Sequence, residues 1–413
     1  MAKSEFEQVD GVEDWRVLDA STSAWFAAPS LTTGAALVGR IAELTGDSGL
    51  PDVDLRVGGV RVRIGVPDSP SPADVALARA ISAAARELGL TADPAALQTL
   101  RLVIDAADGA SVRSFWQAAL AYEPTADNGL ADPLRRDPAI SFRELAEPRP
   151  LRNRIHVDVS RVREAVEVVK AAVGGDGYGP WQFTRADPEG NELDLVPGPE
   201  LSDGPEAADW WAMFGAMVFY PTASAEQASR LAAAVAGLAD DAARPLLIDL
   251  RPDGVTIDSG KDEWENDPAS FAELAVRIQT AAHDLGLSAD PARLRFVQFG
   301  LDAVDITAVR AFWTTVLGYQ HDPRTGLTDI CDPRRLNPVL FFQPMDAADE
   351  ERRRQRNRLH FELAVPAEQL QSRLDAAVAA GGRLLAAETP AHRTITDPEG
   401  NELTIVTPIP TSI

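Results

Sequence analysis

The chain has 413 residues, 45% apolar and 25% charged, and 39 basic against 63 acidic side chains give a formal charge of −24. That balance fits folded cores rather than extended disorder, and the length fits two to four domains of roughly 150 residues each. So acidic a surface repels nucleic-acid phosphates and anionic membranes, which excludes both as general partners and leaves small neutral or cationic ligands compatible.

The opening stretch, Met1 to Trp15, is polar and acidic without a leader-like apolar core. No run approaches the ~20 apolar residues of a membrane span. A cytoplasmic protein, monomeric or homodimeric, is expected. The single cysteine, Cys331, excludes an intrachain disulfide and a Cys-based zinc site. Ser30 to Leu44 has helical apolar spacing, and Val53–Val57 and Val60–Ile64 alternate as strands around Gly58-Gly59. Ser71-Pro72 opens a second helix, with Ser71 as N-cap and Asp74 in the first turn. Leu100 to Ile104 reads as a strand and Ser111 to Ala121 as an amphipathic helix carrying Phe115-Trp116. Ile155–Val159 (strand), Val162–Ala172 (helix) and Glu192–Val196 (strand) complete the pattern.

The second half repeats this order. Leu88-Gly89-Leu90-Thr91-Ala92-Asp93-Pro94-Ala95 recurs 197 residues later as Leu285-Gly286-Leu287-Ser288-Ala289-Asp290-Pro291-Ala292, and Phe115-Trp116 recurs at the same offset as Phe312-Trp313. Asn153-Arg154-Ile155-His156 recurs as Asn357-Arg358-Leu359-His360, and Asp187 to Leu193 recurs unchanged as Asp397 to Leu403. A duplication with loop insertions explains the matches. The expected domains are 1–95, 96–199, 205–291 and 292–413, with Gly204-Pro205 in the linker. The expected fold is α+β: per copy, an α/β sandwich followed by a cupped sheet of paired βαβββ units.

The Phe-Trp pair, the Asn-Arg-x-His strand and the Asp-Pro-Glu-Gly-Asn-Glu turn together resemble glyoxalase-like domains of the vicinal oxygen chelate superfamily. The preceding parts, through Trp15, Pro51-Asp52 and Ser71-Pro72-Ala73-Asp74, resemble pterin-4a-carbinolamine dehydratase. That family's histidines are missing: Gly49-Leu50-Pro51-Asp52 stands at the aligned run, and no histidine precedes His156. These parts are expected to be non-catalytic.

The glyoxalase-like resemblance implies three metal-ligand positions. The first falls on Arg101 and Gln298, the second on His156 and His360, and the last on Asp194 and Thr404. Arginine cannot ligate a metal, and threonine replaces a carboxylate poorly. Taking each copy as its own cup, Arg101 faces His156, Asp158 and Asp194 as an internal ion pair. The metal candidate is then Gln298, His360 and Glu402, with Glu402 standing in from two residues away, about 6.6 Å along a strand. His156, Asp158, Asp194, His360 and Glu362 are the candidate acid/base groups; Arg101, Glu192, Trp116 and Trp313 are candidate substrate contacts. The resemblance implies one divalent metal (Zn, Ni, Mn or Fe) and a small-molecule ligand. A lyase or isomerase acting on a small oxygenated molecule and a metal-free drug-binding protein resembling bleomycin-resistance proteins are both open.

Overall fold

The computed structural model describes residues 6–18, 21–65, 71–202, 204–385, 389 and 391–408. These fall into two compact units, one drawn from 1–97 and 198–294, the other from 98–197 and 295–407. Among the described residues no helix is long and apolar enough to cross a membrane.

In the first unit, helices form where caps and apolar spacing call for them. Leu31–Thr45 begins at Ser30, whose side chain accepts from the Thr33 amide, and Pro72–Glu87 begins with a Ser71–Asp74 capping box. Asp267 caps the corresponding helix Pro268–Asp284. Among the described residues the strands of both copies join one nine-stranded sheet. Its seam pairs Asp52–Arg56 with Leu247–Arg251, placing Asp54 opposite Asp249. Val53, Leu55, Ile248 and Leu250 join the core with the helices. By strand alternation the opposite face carries buried ion pairs: Arg56 to Asp249 and Arg251 to Asp54, each at 2.7 Å, and Arg61 to Asp54 at 2.6 Å.

Among the described residues the second unit holds four modules, three of them βαβββ and the second βαββ. The first has strands Thr99–Ala106, Glu123–Pro124, Leu130–Ala131 and Ile140–Glu144 with helix Gly109–Leu120. The second has Ile155–Val162, Thr184–Ala186 and Glu192–Gly198 with helix Arg163–Val173. Phe296–Ala303 with helix Ile306–Leu317 starts the third, and Leu359–Ala364 with helix Leu370–Ala379 starts the fourth.

The modules do not pair copy by copy. Among the described residues a seven-stranded sheet joins the second module to the third, and an eight-stranded sheet joins the first to the fourth. Each sheet therefore draws one module from each copy. This corrects the expectation that each copy closes its own cup. Alternation specifies which face a side chain takes but not which strand edge lies alongside.

The connections between modules clasp each other where they change sheets. The Leu151 amide donates to Gln355 Oε1 and Gln355 Nε2 returns a bond to the Leu151 carbonyl, both at 2.9 Å. The Arg154 amide donates to Asn357 Oδ1 at 2.9 Å, and the Arg358 amide to Asn153 Oδ1 at 2.8 Å. Arg358 then reaches Asn191 Oδ1 at 2.9 Å, and Arg154 reaches the Glu399 carbonyl at 2.6 Å. The repeated Asn-Arg and Asp-Pro-Glu-Gly-Asn motifs thus form one buried network, which satisfies its own polar groups.

Candidate functional site

In the second module Ile155, Val157 and Val159 enter the core, so His156, Asp158 and Ser160 project from the face turned away from the helices. Antiparallel pairing with the third module sets His156 opposite Gly300, Asp158 opposite Gln298 and Ser160 opposite Phe296. Asp194, in the module's last strand, lies opposite Thr184. One ligand atom each from His156, Asp158 and Asp194 lies within 4.8 Å of the others. His156 Nε2 is 3.6 Å from Asp158 Oδ1.

Gln298 and Gly300 shape this group. Gln298 is 3% exposed, and its Nε2 donates to Asp158 Oδ2 at 3.0 Å. Its Oε1 is buried without a hydrogen-bond partner. At Gly300 a Cβ would stand 2.1 Å from His156 Cε1 and 2.3 Å from Nε2, so only glycine leaves room for the ring there. Phe341 meets the imidazole edge-on, with centroids 5.6 Å apart. An orphaned amide oxygen, an imidazole and two carboxylates make a mixed N/O donor set suited to Zn, Ni, Mn or Fe.

Glu192 shares Asp194's face. It accepts from Arg152 Nε at 2.6 Å and from the Tyr178 hydroxyl at 3.0 Å. Burial and the Glu192 charge push the Tyr178 phenol up, so it stays a donor.

The other sheet carries different chemistry. Arg101 lies opposite Glu362 and Val103 opposite His360, while Glu362 neighbours Thr404. Arg101 donates to Ser141 Oγ at 2.7 Å, and Arg143 pairs with Glu362. Arg356 grips Glu402 at 2.6 and 2.8 Å. The Thr394 and Thr404 hydroxyls bond each other at 2.9 Å. Burial pushes the His360 imidazole down, against the pull of Asp105, whose Oδ1 lies 4.0 Å away.

The expected grouping of Gln298, His360 and Glu402 is therefore split. Gln298 belongs to the sheet of His156, while His360 and Glu402 belong to that of Arg101. Arg101 likewise does not face His156, Asp158 and Asp194. Exchange of modules between copies is the reason. Trp116 and Trp313 lie fully buried in the helix-to-sheet core, their indoles donating to Asp187 Oδ2 and Asp397 Oδ2 at 2.9 and 3.0 Å. They are packing residues, not lining. Gly300 escaped the sequence reading, although a mid-strand glycine two residues past a ligand position was a usable signal.

The glyoxalase-like domain family matches the chain twice, over residues 101–196 and 298–406. The chain thus carries two regions that match the glyoxalase-like domain. Similar solved structures include a glyoxalase I mutant from Zea mays, at 10% identity and TM-score 0.37, covering 76% of this chain and 95% of that one. The cppA protein of Streptococcus pneumoniae is 10% identical with TM-score 0.33, covering 75% and 97%. A glyoxalase-related enzyme from Fulvimarina pelagi is 21% identical with TM-score 0.21, covering 26% and 84%. No curated protein matches the chain.

Proposed function

We propose that the sheet joining the second and third modules carries the working site of a metal-assisted lyase or isomerase for a small oxygenated molecule. One observation supports this reading above the others. Of the four implicated positions that can ligate well, Gln298, His156 and Asp194 fall on one sheet, while His360 falls on the other with Arg101, which cannot ligate, and Thr404, a poor ligand.

His156, Asp194 and Gln298 Oε1 would hold a divalent ion, which when bound supplies Lewis-acid stabilisation of an oxyanion or enolate. Asp158 fixes the Gln298 amide by accepting its N–H, which leaves the amide oxygen as the donor. The same carboxylate is the group placed to take a proton from bound substrate. Glu192, held by Arg152 and Tyr178, borders the site.

The first unit, in this reading, is a non-catalytic scaffold of dehydratase-like layout. It has no histidine before residue 205, and its His283 is committed to Asp209 at 2.9 Å.

Calorimetric titration of the full chain with Mn²⁺ or Ni²⁺ tests the assignment. One site per chain is expected, weakened about 100-fold or more by His156→Ala or Asp194→Asn and unchanged by His360→Ala. Two equal sites, or loss on His360→Ala, would overturn it. Absence of metal binding would leave sequestration of a cationic molecule by Asp158 and Asp194 as the better account.

A further inference from the structure

Ser160 lies two residues past Asp158 on the same strand and face, about 7 Å along it. It is 1% exposed, and its hydroxyl has no hydrogen-bond partner. A buried hydroxyl without a partner is costly to keep, so its presence on the face that carries His156 and Asp158 needs a reason. Its counterpart in the other sheet, by register, is Ala364, opposite Thr99 as Ser160 is opposite Phe296. The sheet that gathers the metal-competent residues has the hydroxyl; the sheet filled with ion pairs has a methyl.

The surroundings of Ser160 describe what would reach it. Phe296 lies across from it, Val339 lies beside Gln298 on the neighbouring strand, and Val196 follows Asp194 on its face. Gln298 Oε1 and Ser160 Oγ, both buried and both without partners, thus stand on one face with apolar side chains around them.

We propose that Ser160 is a substrate-binding residue. The ligand it selects has an oxygen-chelating head, a short apolar body and a second polar group about 7 Å from the head. The hydroxyl hydrogen-bonds that second group, and Phe296, Val339 and Val196 take the body. This rests on the metal reading above, because the head is placed by His156, Asp194 and Gln298.

The test uses the Mn²⁺-loaded full chain and two chelating probes, benzohydroxamate and 4-hydroxybenzohydroxamate, with binding read by calorimetry. The wild type should bind the 4-hydroxy probe about 5- to 10-fold tighter, the gain of one hydrogen bond. Ser160→Ala should erase that preference while leaving the affinities for Mn²⁺ and for benzohydroxamate within about twofold, since it touches neither the ligands nor the body. Equal binding of the two probes by the wild type would overturn the proposal, as would a preference that survives Ser160→Ala. Failure of both probes to bind a chain that holds Mn²⁺ would overturn it too, with the metal reading intact. Failure to bind Mn²⁺ at all would instead defeat the metal reading and this proposal with it.

Discussion

Equivalent positions on the two sheets of the second unit carry opposed chemistry. Where one sheet has Gln298, Asp158 and Asp194, the other has Arg101, Glu362 and Thr404, and where one has Gly300 beneath its histidine the other has Val103. On the first, a carboxylate pair and an orphaned amide oxygen surround an imidazole. On the second, Arg143 and Arg356 neutralise the glutamates and two threonines satisfy each other. Had each copy closed on itself, Arg101 would stand beside His156 and Asp194, and Gln298 beside His360 and Thr404, and both sites would be defective. The exchange collects the competent residues into one. A duplicated chain can therefore bring onto one sheet a donor set that each copy, read alone, lacks.

The comparison holds only if the framework beneath the two sheets is equivalent, and the largest effect tests this. Arg154→Ala and Arg358→Ala each remove a buried guanidinium that bonds carbonyls and an asparagine in the opposite copy. Each should cost about 3–5 kcal/mol in urea unfolding, because the acceptors stay buried and unpaired. The two losses should agree within about 1 kcal/mol. A large inequality would break the symmetry.

The next effect separates the sheets. Gly300→Ala places a methyl within the His156 ring and should weaken Mn²⁺ binding about 100-fold. Val103→Ala, at the matching position opposite His360, should leave it within about twofold. Equal responses would show that His156 has no privileged place.

The smallest effect concerns Asp137. Burial, then the facing Asp132, pushes its carboxyl up to about 7, although Arg295 Nε donates to it at 3.1 Å. The equivalent residue in the second copy is Asn337, which donates to Asp332 Oδ2 at 2.8 Å. An unfolded aspartate titrates near 4, so between roughly pH 4 and 7 the folded chain holds the extra proton and stability falls as pH rises. Asp137→Asn removes that slope. It should raise stability by about 1–2 kcal/mol at pH 8 relative to its effect at pH 5, seen as a higher Tm. An identical difference at both pH values would refute the burial of a protonated Asp137.

Much was legible before the fold was seen. The duplication, the helix starts at Ser30 and Ser71, and the strands carrying His156, His360 and Asp194 followed from local rules of capping, apolar period and repeat. So did the face each residue would take, since alternation is a property of one strand. The roles of Trp116 and Trp313 were not legible, because an indole in an amphipathic helix reads alike whether it lines a ligand or donates to a buried aspartate such as Asp187.

Sequence by itself determined which residue types stand at each strand position and toward which face. Only the tertiary structure decided which strands lie side by side, and so whether His156 meets Arg101 or Gln298. The reason is physical: strand pairing is made by backbone hydrogen bonds that are the same for every partner. The choice falls to long-range contacts, here the reciprocal clasp of Leu151 with Gln355 and of Asn153 and Arg154 with Asn357 and Arg358, and no local pattern encodes them.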